Sequence, residues 1–303
     1  MTALSLLVTG ARGQLGRDLV AAAARAGVPQ IHVLGSAELD ITDPAAVSDA
    51  VSCLSGGVRL VVINAAAYTA VDAAEGAGAA RAHAVNALGP ANLARACVAH
   101  RAHLVQVSTD YVFAGQRAGP HRVSDPTVPA TVYGQTKLAG ERAVLSSSVS
   151  SLGASAHVVR TAWLYGAHGR NFVRTIAAAA RGRETVRVVD DQRGNPTWTH
   201  DLAEGLIALA LAADRVPMGV LHCANAAATT WFGLARAVFT ELGADPDRVL
   251  PCRTSELPRP APRPANSVLD TTGWAEAGLP ELRHWRAALH AAAAGVLGAP
   301  WTV

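Results

Sequence analysis

Short apolar runs alternate with amphipathic segments along the first half of the chain. Each run leads into glycine or small polar residues, and then into a stretch where apolar residues recur at helical spacing. Such runs fit buried parallel strands, and the stretches between them fit connecting helices. Strands are therefore predicted at 4–9, 31–34, 60–63 and 103–107. This alternation predicts an α/β fold with a Rossmann-type, doubly wound parallel sheet.

The second half is patterned less regularly. Further strands are predicted at 157–161, 186–189 and 219–223, and helices at 171–181, 201–213, up to about 242, and beyond 285. We expect a dinucleotide-binding Rossmann domain over 1–162, to which 186–225 returns. Residues 163–303 are expected to build mainly a smaller C-terminal substrate-binding lobe.

Composition narrows the class of protein. Half of the 303 residues are hydrophobic, and the net charge is only +3 with scattered arginines, so neither nucleic acid nor a membrane is expected as a partner. No apolar run is long enough to span a bilayer, and Met1 leads into a strand without a basic leader. Four widely spaced cysteines are typical of a reducing compartment, so we expect a cytoplasmic protein. The histidines show no zinc-site spacing.

A glycine loop follows the first predicted strand directly. Gly10, Gly13 and Gly16 lie in the string GARGQLG, just before a predicted helix. Glycines permit a tight turn and close approach of a phosphate, and the helix N-terminus offers free N–H groups. The spacing is three and three, whereas the common dinucleotide fingerprint has two and three, so a glycine turn without a ligand is the alternative.

The end of the second predicted strand bears on the cofactor. It reads Gly35-Ser36, with Glu38 following, where NAD-specific folds carry an acidic residue. Arg12 lies inside the glycine loop and could meet a 2′-phosphate, so NADPH is predicted, with NADH possible. Asp40 and Ile41 are placed beside an adenine ring. The alternative for Asp40 is a loop residue or a cap on the helix that begins at Pro44.

Polar residues also follow the fourth predicted strand and open a later helix. Thr109 stands where open parallel sheets place their chemistry, although a plain Ser/Thr turn is equally open. Tyr133 and Lys137 are four residues apart, so they share one helix face. An ammonium beside a phenol favours the phenolate, which would lower the tyrosine pKa for acid/base work. Alone, Tyr-x-x-x-Lys occurs often by chance, and it then marks a surface Tyr and Lys on an ordinary helix. Asn86, inside an apolar helix, needs partners of its own.

Together these strings resemble the extended short-chain dehydrogenase/reductase superfamily and, within it, the dTDP-4-dehydrorhamnose reductase family. The resemblance covers nearly the whole chain. It rests on TGARGQLG (9–16), NAAAYTAVDAAE (64–75), VSTDYVFAG (107–115), VYGQTKLAGE (132–141), RTAWLYG (160–166) and DDQRGNPTWTHDLA (190–203).

The resemblance implies reduction of the C4 keto group of dTDP-4-dehydro-L-rhamnose by NAD(P)H. Tyr133 would protonate the C4 oxygen, Thr109 would polarise the same carbonyl, and Lys137 would bind the nicotinamide ribose and hold the tyrosine pKa down. The implied cofactor contacts are Gly13, Gln14 and Leu15 along the pyrophosphate, Asp40 and Ile41 at the adenine, and Ala67, Tyr68 and Thr69 beside them. The implied substrate contacts are Asp110 and Trp163, with Thr69 and Val71 nearby.

Two positions depart from the family pattern. Ala162 precedes Trp163 where the family usually has Ser, and Pro262-Arg263-Pro264 replaces Arg-Arg-Pro. Arg263 is a candidate diphosphate clamp, or else a solvated arginine. Some members dimerise through a metal held by acidic residues, of which only Asp18 can be matched here, so no metal is predicted. A monomer or a homodimer is expected.

Other functions stay open at this point. One is reduction or epimerisation of a different nucleotide sugar, since the glycine loop and the Tyr/Lys pair are shared across the superfamily. Another, from a different class, is a non-catalytic regulatory subunit resembling that of methionine adenosyltransferase. The presence of Thr109, Tyr133 and Lys137 favours an enzyme.

Overall fold

A six-stranded parallel sheet forms the centre of the molecule in the computed structural model, which describes residues 4–148 and 155–298. The strands are β1 (Leu4–Thr9), β2 (Gln30–Leu34), β3 (Arg59–Asn64), β4 (His103–Thr109), β5 (Ala156–Thr161), β6 (Leu164–Tyr165), β7 (Val186–Val189), β8 (Arg193–Gly194), β9 (Thr197–Trp198), β10 (Gly219–His222), β11 (Thr229–Thr230) and β12 (Val249–Cys252). The large sheet has the order β2-β1-β3-β4-β5-β10. The direction of winding reverses between β1 and β3, where such sheets bind nucleotides. The predicted fold class is confirmed.

Helices cover both faces of this sheet. They are α1 (Gln14–Arg25), α2 (Pro44–Leu54), α3 (Val71–Ala74), α4 (Ala79–His83), α5 (Gly89–Ala99), α6 (Val132–Ser148), α7 (Phe172–Ala180), α8 (Thr199–Ala212), α9 (Trp231–Glu241), α10 (Thr272–Glu276) and α11 (Trp285–Val296), with a π-helical turn at Ala84–Leu88. Leu6 packs under α1 and α8, whereas its neighbour Leu7 packs under α2 and α5. Because successive side chains point to opposite faces, a strand covered on both sides is apolar throughout.

The start of α2 settles one of the open alternatives. Asp43, not Asp40, caps this helix: its Oδ1 accepts hydrogen bonds from the N–H groups of Ala45 (2.9 Å) and Ala46 (3.2 Å). Asp40 instead accepts from the N–H and hydroxyl of Thr42, at 2.9 and 2.8 Å, inside the preceding turn. Asp40 is therefore a turn residue at the rim of the sheet.

A second apolar core lies outside the large sheet. It is formed by α7, α9 and α11, with β7 paired to β12. This pairing corrects one predicted boundary, because the strand at 186–189 does not return to the large sheet; the return begins with α8, which packs on α1, and ends with β10 beside β5. The division into a cofactor domain and a substrate lobe stays a prediction.

Three properties of the described residues bear on the class of protein. No helix within 4–148 or 155–298 is long and apolar enough to cross a membrane. Nor do those ranges contain a group of three or more His, Cys, Asp or Glu side chains placed to hold a metal ion. The four cysteines are free, and three of them are buried.

A buried ion pair joins α6 to β5. The Glu141 carboxylate accepts two hydrogen bonds from Arg160 Nε, at 3.0 and 3.2 Å, and one from Nη2 at 2.7 Å. Ser108 in β4 donates a further hydrogen bond to Glu141 at 2.5 Å. Both charged side chains are at most 5% exposed, so each depends on its partner for the loss of water.

Replacing Glu141 by Ala should lower the free energy of unfolding by about 3–5 kcal/mol, because Arg160 would stay buried without a counter-charge. Denaturant titration measures this loss. Glu204→Ala is the matched control: it breaks the exposed pair with Arg25 (2.6 Å) and should cost about 1 kcal/mol or less. Equal losses in the two variants would contradict the prediction.

Candidate active site

A cavity of about 300 Å³ opens at the glycine loop, next to the point where winding reverses. Gly10 has φ +65°, and a Cβ there would lie 2.5 Å from the backbone nitrogen of Ala66, so only glycine fits. The predicted cofactor residues that line the cavity are Gly10, Arg12, Gly13, Asp40, Ile41, Ala67 and Tyr68. Its shape and glycine wall suit a dinucleotide phosphate, with α1 starting immediately beyond Gly13.

Six other predicted cofactor residues do not line this cavity: Leu15, Gly16, Gln14, Thr69, Tyr133 and Lys137. Leu15 is buried under the sheet, and Gly16 packs closely against the backbone of the glycine loop. Gln14 accepts a hydrogen bond from Asn171 (3.0 Å) at the start of α7, and Thr69 is exposed. The first two thus support the loop, whereas Gln14 connects it to the second lobe.

Sequence reasoning missed part of the lining. The additional residues are Gly35, Ser36, Leu39, Ala65, Ala66, Arg81 and Val85. Gly35 and Ser36 could have been predicted from the sequence, since they directly follow a strand at the carboxyl edge of the sheet. Arg81 could not: it comes from α4, and its guanidinium lies 3.9 Å from the Asp40 carboxylate.

Arg12 is already paired in the free protein. Its Nη2 donates a hydrogen bond to Glu38 Oε1, and its Nε donates one to Glu38 Oε2 at 3.3 Å. The Gly35 N–H also donates to Glu38 Oε2, at 2.9 Å. The hydrogen bond from Arg12 holds the pKa of Glu38 below its ordinary value. An arginine suited to a 2′-phosphate and an acid suited to a 2′-hydroxyl therefore stand side by side.

Helix α6 carries the tyrosine and the lysine, as predicted. It approaches the turn after β4 so closely that a Cβ on Gly134 would overlap the carbonyl oxygen of Tyr111. Lys137 is 4% exposed and donates from Nζ to the Val107 carbonyl oxygen at 2.7 Å. Burial lowers the pKa of Lys137 to about 8, although the Glu141 carboxylate opposes the shift.

Lys137 is not among the groups that shift the pKa of Tyr133, contrary to the expectation. Burial raises the pKa of Tyr133 to about 12; a hydrogen bond with the Thr109 hydroxyl lowers it, and the Asp110 charge raises it. The ammonium of Lys137 is engaged by Val107 instead. Tyr133 is therefore a fully protonated phenol, the state that a proton donor requires.

Thr109 makes the turn contact that was one of its two alternatives, and its role toward a substrate carbonyl stays a prediction. Its hydroxyl accepts a hydrogen bond from the Tyr111 N–H (3.2 Å), which is the turn contact, and donates one to Asp110 Oδ1 (3.0 Å). Asp110 is 3% exposed, and its Oδ2 has no hydrogen-bond partner among the described residues. Burial raises the pKa of Asp110 to about 6.

Asn86 is a structural link. Its side chain accepts from the Tyr68 N–H (2.9 Å), donates to the Tyr68 carbonyl (3.0 Å), and donates to the Thr136 hydroxyl (3.3 Å). These bonds fix the segment that lines the cofactor cavity against the helix that carries Tyr133. Two parts of the site are thereby held in register.

A second cavity, of about 600 Å³, lies beside the second apolar core. Trp163, with φ +48°, stacks on Trp231 at a centroid distance of 3.6 Å, and both rings line it. Tyr111 lines it as well, and packs edge-on against Tyr133 at 5.4 Å. Trp163 therefore lines the cavity, and its contact with a substrate stays a prediction. The other predicted substrate residues, apart from Arg263, are not among the lining residues: Thr69, Val71, Thr109, Asp110 and Tyr133.

Arg263 lines this cavity but is not a free, solvated side chain. Its Nη2 donates to Asp72 Oδ2 at 2.9 Å, and its Nη1 donates to the Ala261 carbonyl at 2.8 Å. The side chain is 19% exposed. Asp18, the acid compared with a family metal ligand, accepts a hydrogen bond from the Thr199 hydroxyl.

By its fold, the chain is a Rossmann-type α/β protein with a nucleotide-binding glycine loop. More narrowly, it belongs to the family described as the RmlD substrate binding domain, whose model matches residues 4–297. The dTDP-4-dehydrorhamnose reductase of Streptomyces griseus is 52% identical over 285 residues, 93% of this chain and 91% of that one. The enzyme of that name from Mycobacterium tuberculosis H37Rv is 51% identical over 294 residues, 95% and 92% of the two chains.

Solved structures agree with this placement. The crystal structure of dTDP-4-dehydrorhamnose reductase from Bacillus anthracis in complex with NADP superposes with a TM-score of 0.87. It is 32% identical and covers 96% of this chain and 99% of that one. The enzyme from Clostridium acetobutylicum gives a TM-score of 0.85 at 36% identity, with 95% and 98% covered.

Proposed function

We propose that this protein reduces the C4 keto group of dTDP-4-dehydro-L-rhamnose to give dTDP-L-rhamnose, with NADPH as the reductant. The observation that carries the proposal is the position of Tyr133. This protonated phenol touches Thr109 and packs against Tyr111, which lines the aromatic cavity. Its helix is tied through Asn86 to Tyr68, which lines the dinucleotide cavity.

Side chains of this protein donate the proton and stabilise the charges that the reaction creates. When bound, NADPH supplies a hydride from C4 of its nicotinamide. Tyr133 gives its proton to the C4 oxygen of the sugar as negative charge develops there. Thr109 hydrogen-bonds the same oxygen, and Lys137 turns from Val107 to the nicotinamide ribose, where its charge stabilises the phenolate left on Tyr133.

The other predicted contacts complete the proposal. Arg12 receives the 2′-phosphate of NADPH, which fits the NADP bound to the relative from Bacillus anthracis. NADH remains usable because Glu38 stands beside Arg12. Trp163 faces the sugar nucleotide and Arg263 its diphosphate. Five predicted substrate contacts are retained although they do not line the aromatic cavity: Thr69, Val71, Thr109, Asp110 and Tyr133.

A related reduction is the second candidate. A probable dTDP-4,6-dihydroxy-2-methyloxan-3-one 4-ketoreductase from Streptomyces antibioticus is 48% identical, and a dTDP-4-keto-6-deoxy-D-glucose reductase from Streptomyces niveus is 44% identical. Each is a ketoreductase of a dTDP-linked deoxysugar by name. A UDP-glucose 4-epimerase from Thermus thermophilus, at 22% identity, shares the fold alone. The cytoplasmic location and the monomer or homodimer state stay predictions.

The deciding experiment follows NADPH oxidation while dTDP-4-dehydro-L-rhamnose is generated in situ from dTDP-glucose. Turnover with release of the oxidised cofactor supports the proposal. Turnover only with another dTDP-linked ketone supports the second candidate. Absence of turnover with either cofactor on every such ketone refutes both, and co-purification with a synthetase would then favour the regulatory subunit.

Tyr133→Phe should lower kcat by about 100- to 10,000-fold, since the ring stays and the proton donor goes. Dissociation constants for NADPH, measured by titration of its fluorescence, should change little. Retention of wild-type kcat by this variant would refute Tyr133 as the acid.

The pH dependence should report Lys137. Its pKa of about 8 lies below the ordinary value of 10.5, so Lys137 becomes neutral as the pH rises through about 8. The phenolate left on Tyr133 then lacks its cation, and kcat/KM should fall above that pH. Tyr133 ionises only near 12 and cannot cause this limb. A flat profile well past the lysine pKa would contradict the assignment.

Arg12 and Glu38 should set cofactor preference in opposite directions. Arg12→Ala should lower kcat/KM for NADPH by about 10-fold and leave NADH nearly unchanged, because only NADPH carries the 2′-phosphate. Glu38→Gln frees Arg12 and should raise the NADPH-to-NADH ratio. Equal effects of either variant on both cofactors would exclude Arg12 from the phosphate site.

A further inference from the structure

Residues 253–264, here termed the rim loop, form one wall of the aromatic cavity and are held by two carboxylates. Asp191 fixes the start of the loop: it accepts from the Thr254 N–H at 2.9 Å and from the Thr254 hydroxyl at 2.6 Å. Asp72 fixes the end of the loop from the opposite side, since it belongs to α3 in the Rossmann half. The two anchors differ in what they touch.

Asp72 touches an arginine of the cavity wall as well as backbone. Its Oδ1 accepts from the Ala261 N–H at 3.2 Å, and its Oδ2 accepts from Arg263 Nη2 at 2.9 Å. Arg263 Nη1 donates to the Ala261 carbonyl at 2.8 Å, so the guanidinium is fixed at both nitrogens. A guanidinium has five N–H donors, and these contacts use two of them. The remaining donors stay available to a ligand.

The charge of the cavity wall favours an anion. The described lining residues include Arg187, Arg259 and Arg263 but no Asp or Glu. Arg259 also lies 3.8 Å from Asp72, so two arginines of the rim loop gather at one carboxylate. Planar guanidinium groups held in a fixed orientation bind phosphate oxygens in pairs. A diphosphate of an organic ligand matches this arrangement.

The negative charge of Asp72 could instead repel a diphosphate. Asp72 is 32% exposed and paired with Arg263 at 2.9 Å, so the arginine offsets its charge while the pairing fixes the orientation of the guanidinium. The orienting effect should therefore prevail. The sign of the effect on KM separates the two roles.

Building on the proposed function, we propose that Asp72 is a positioning residue for substrate binding: it holds Arg263 and the rim loop in the orientation that receives the diphosphate of the nucleotide sugar. Asp72 does not itself contact the substrate. Its contribution is made through Arg263, and it is made before the substrate arrives, which spares the side chain a loss of freedom on binding.

Steady-state kinetics of four variants test this role. Asp72→Asn keeps the size of the side chain and should raise KM for the nucleotide sugar by about 5- to 10-fold with kcat nearly unchanged. Arg263→Gln should raise the same KM by about 10- to 100-fold. In the double variant, the Asp72→Asn change should raise KM little beyond the value for Arg263→Gln alone, because the arginine that Asp72 orients is absent. Asp191→Asn is the matched control, since it loosens the other end of the loop without touching Arg263.

Binding of dTDP and thymidine, measured by calorimetry on the whole protein, separates diphosphate recognition from general loosening. Asp72→Asn should weaken dTDP but not thymidine. The proposal is overturned if KM falls, if Asp191→Asn matches Asp72→Asn, or if the Asp72 effect persists without Arg263. Loss of thymidine binding would also overturn it. Absence of turnover in the wild-type protein would refute the proposed function instead. None of the differences between variants described above would give that result.

Discussion

Close packing of α6 against the turn after β4 is the constraint on which the site depends. A Cβ on Gly134 would overlap the Tyr111 carbonyl, and one on Gly140 would overlap the Asn86 carbonyl, so α6 lies nearly in backbone contact with two neighbours. This approach puts Tyr133 beside Thr109 at the carboxyl edge of the sheet. A helix displaced by the width of one methyl group would separate the phenol from the hydroxyl, because rigid packing does not adjust at that scale.

Burial in the same region shifts the pKa values of ionisable side chains and also lowers the stability of the fold there. Lys137 and Asp110 are both at most 4% exposed, and burial shifts the pKa of each toward neutrality. Such shifts mean that the charged forms are disfavoured by the fold, which is tolerable only if other interactions hold the region together. The Glu141–Arg160 pair, one helical turn beyond Lys137, supplies one of them. The ion pair therefore helps to stabilise a region in which buried ionisable side chains are poorly solvated.

The sequence predicted the sheet well because strands covered on both faces are apolar in a row, and it predicted the glycine loop because close backbone approach leaves few residue choices. It could not predict pairings between distant residues. Arg12 with Glu38 and Arg263 with Asp72 are joined only through the fold. The predicted direction of the Tyr133 pKa shift was wrong, because burial, which helical spacing does not reveal, raises that pKa, and the lysine ammonium contacts the Val107 carbonyl.

On the proposed function, the hydride donor and the ketone enter by different cavities, and the segment from Asn64 to Asp72 connects the two. Its first part lines the dinucleotide cavity, and Asp72 at its end holds the wall of the aromatic cavity. A short piece of backbone, fixed at Tyr68 by Asn86, therefore links the lining of one cavity to the wall of the other. Because reaction needs near contact between donor and acceptor, a local reference of this kind is a more reliable way to set their distance than a junction between lobes.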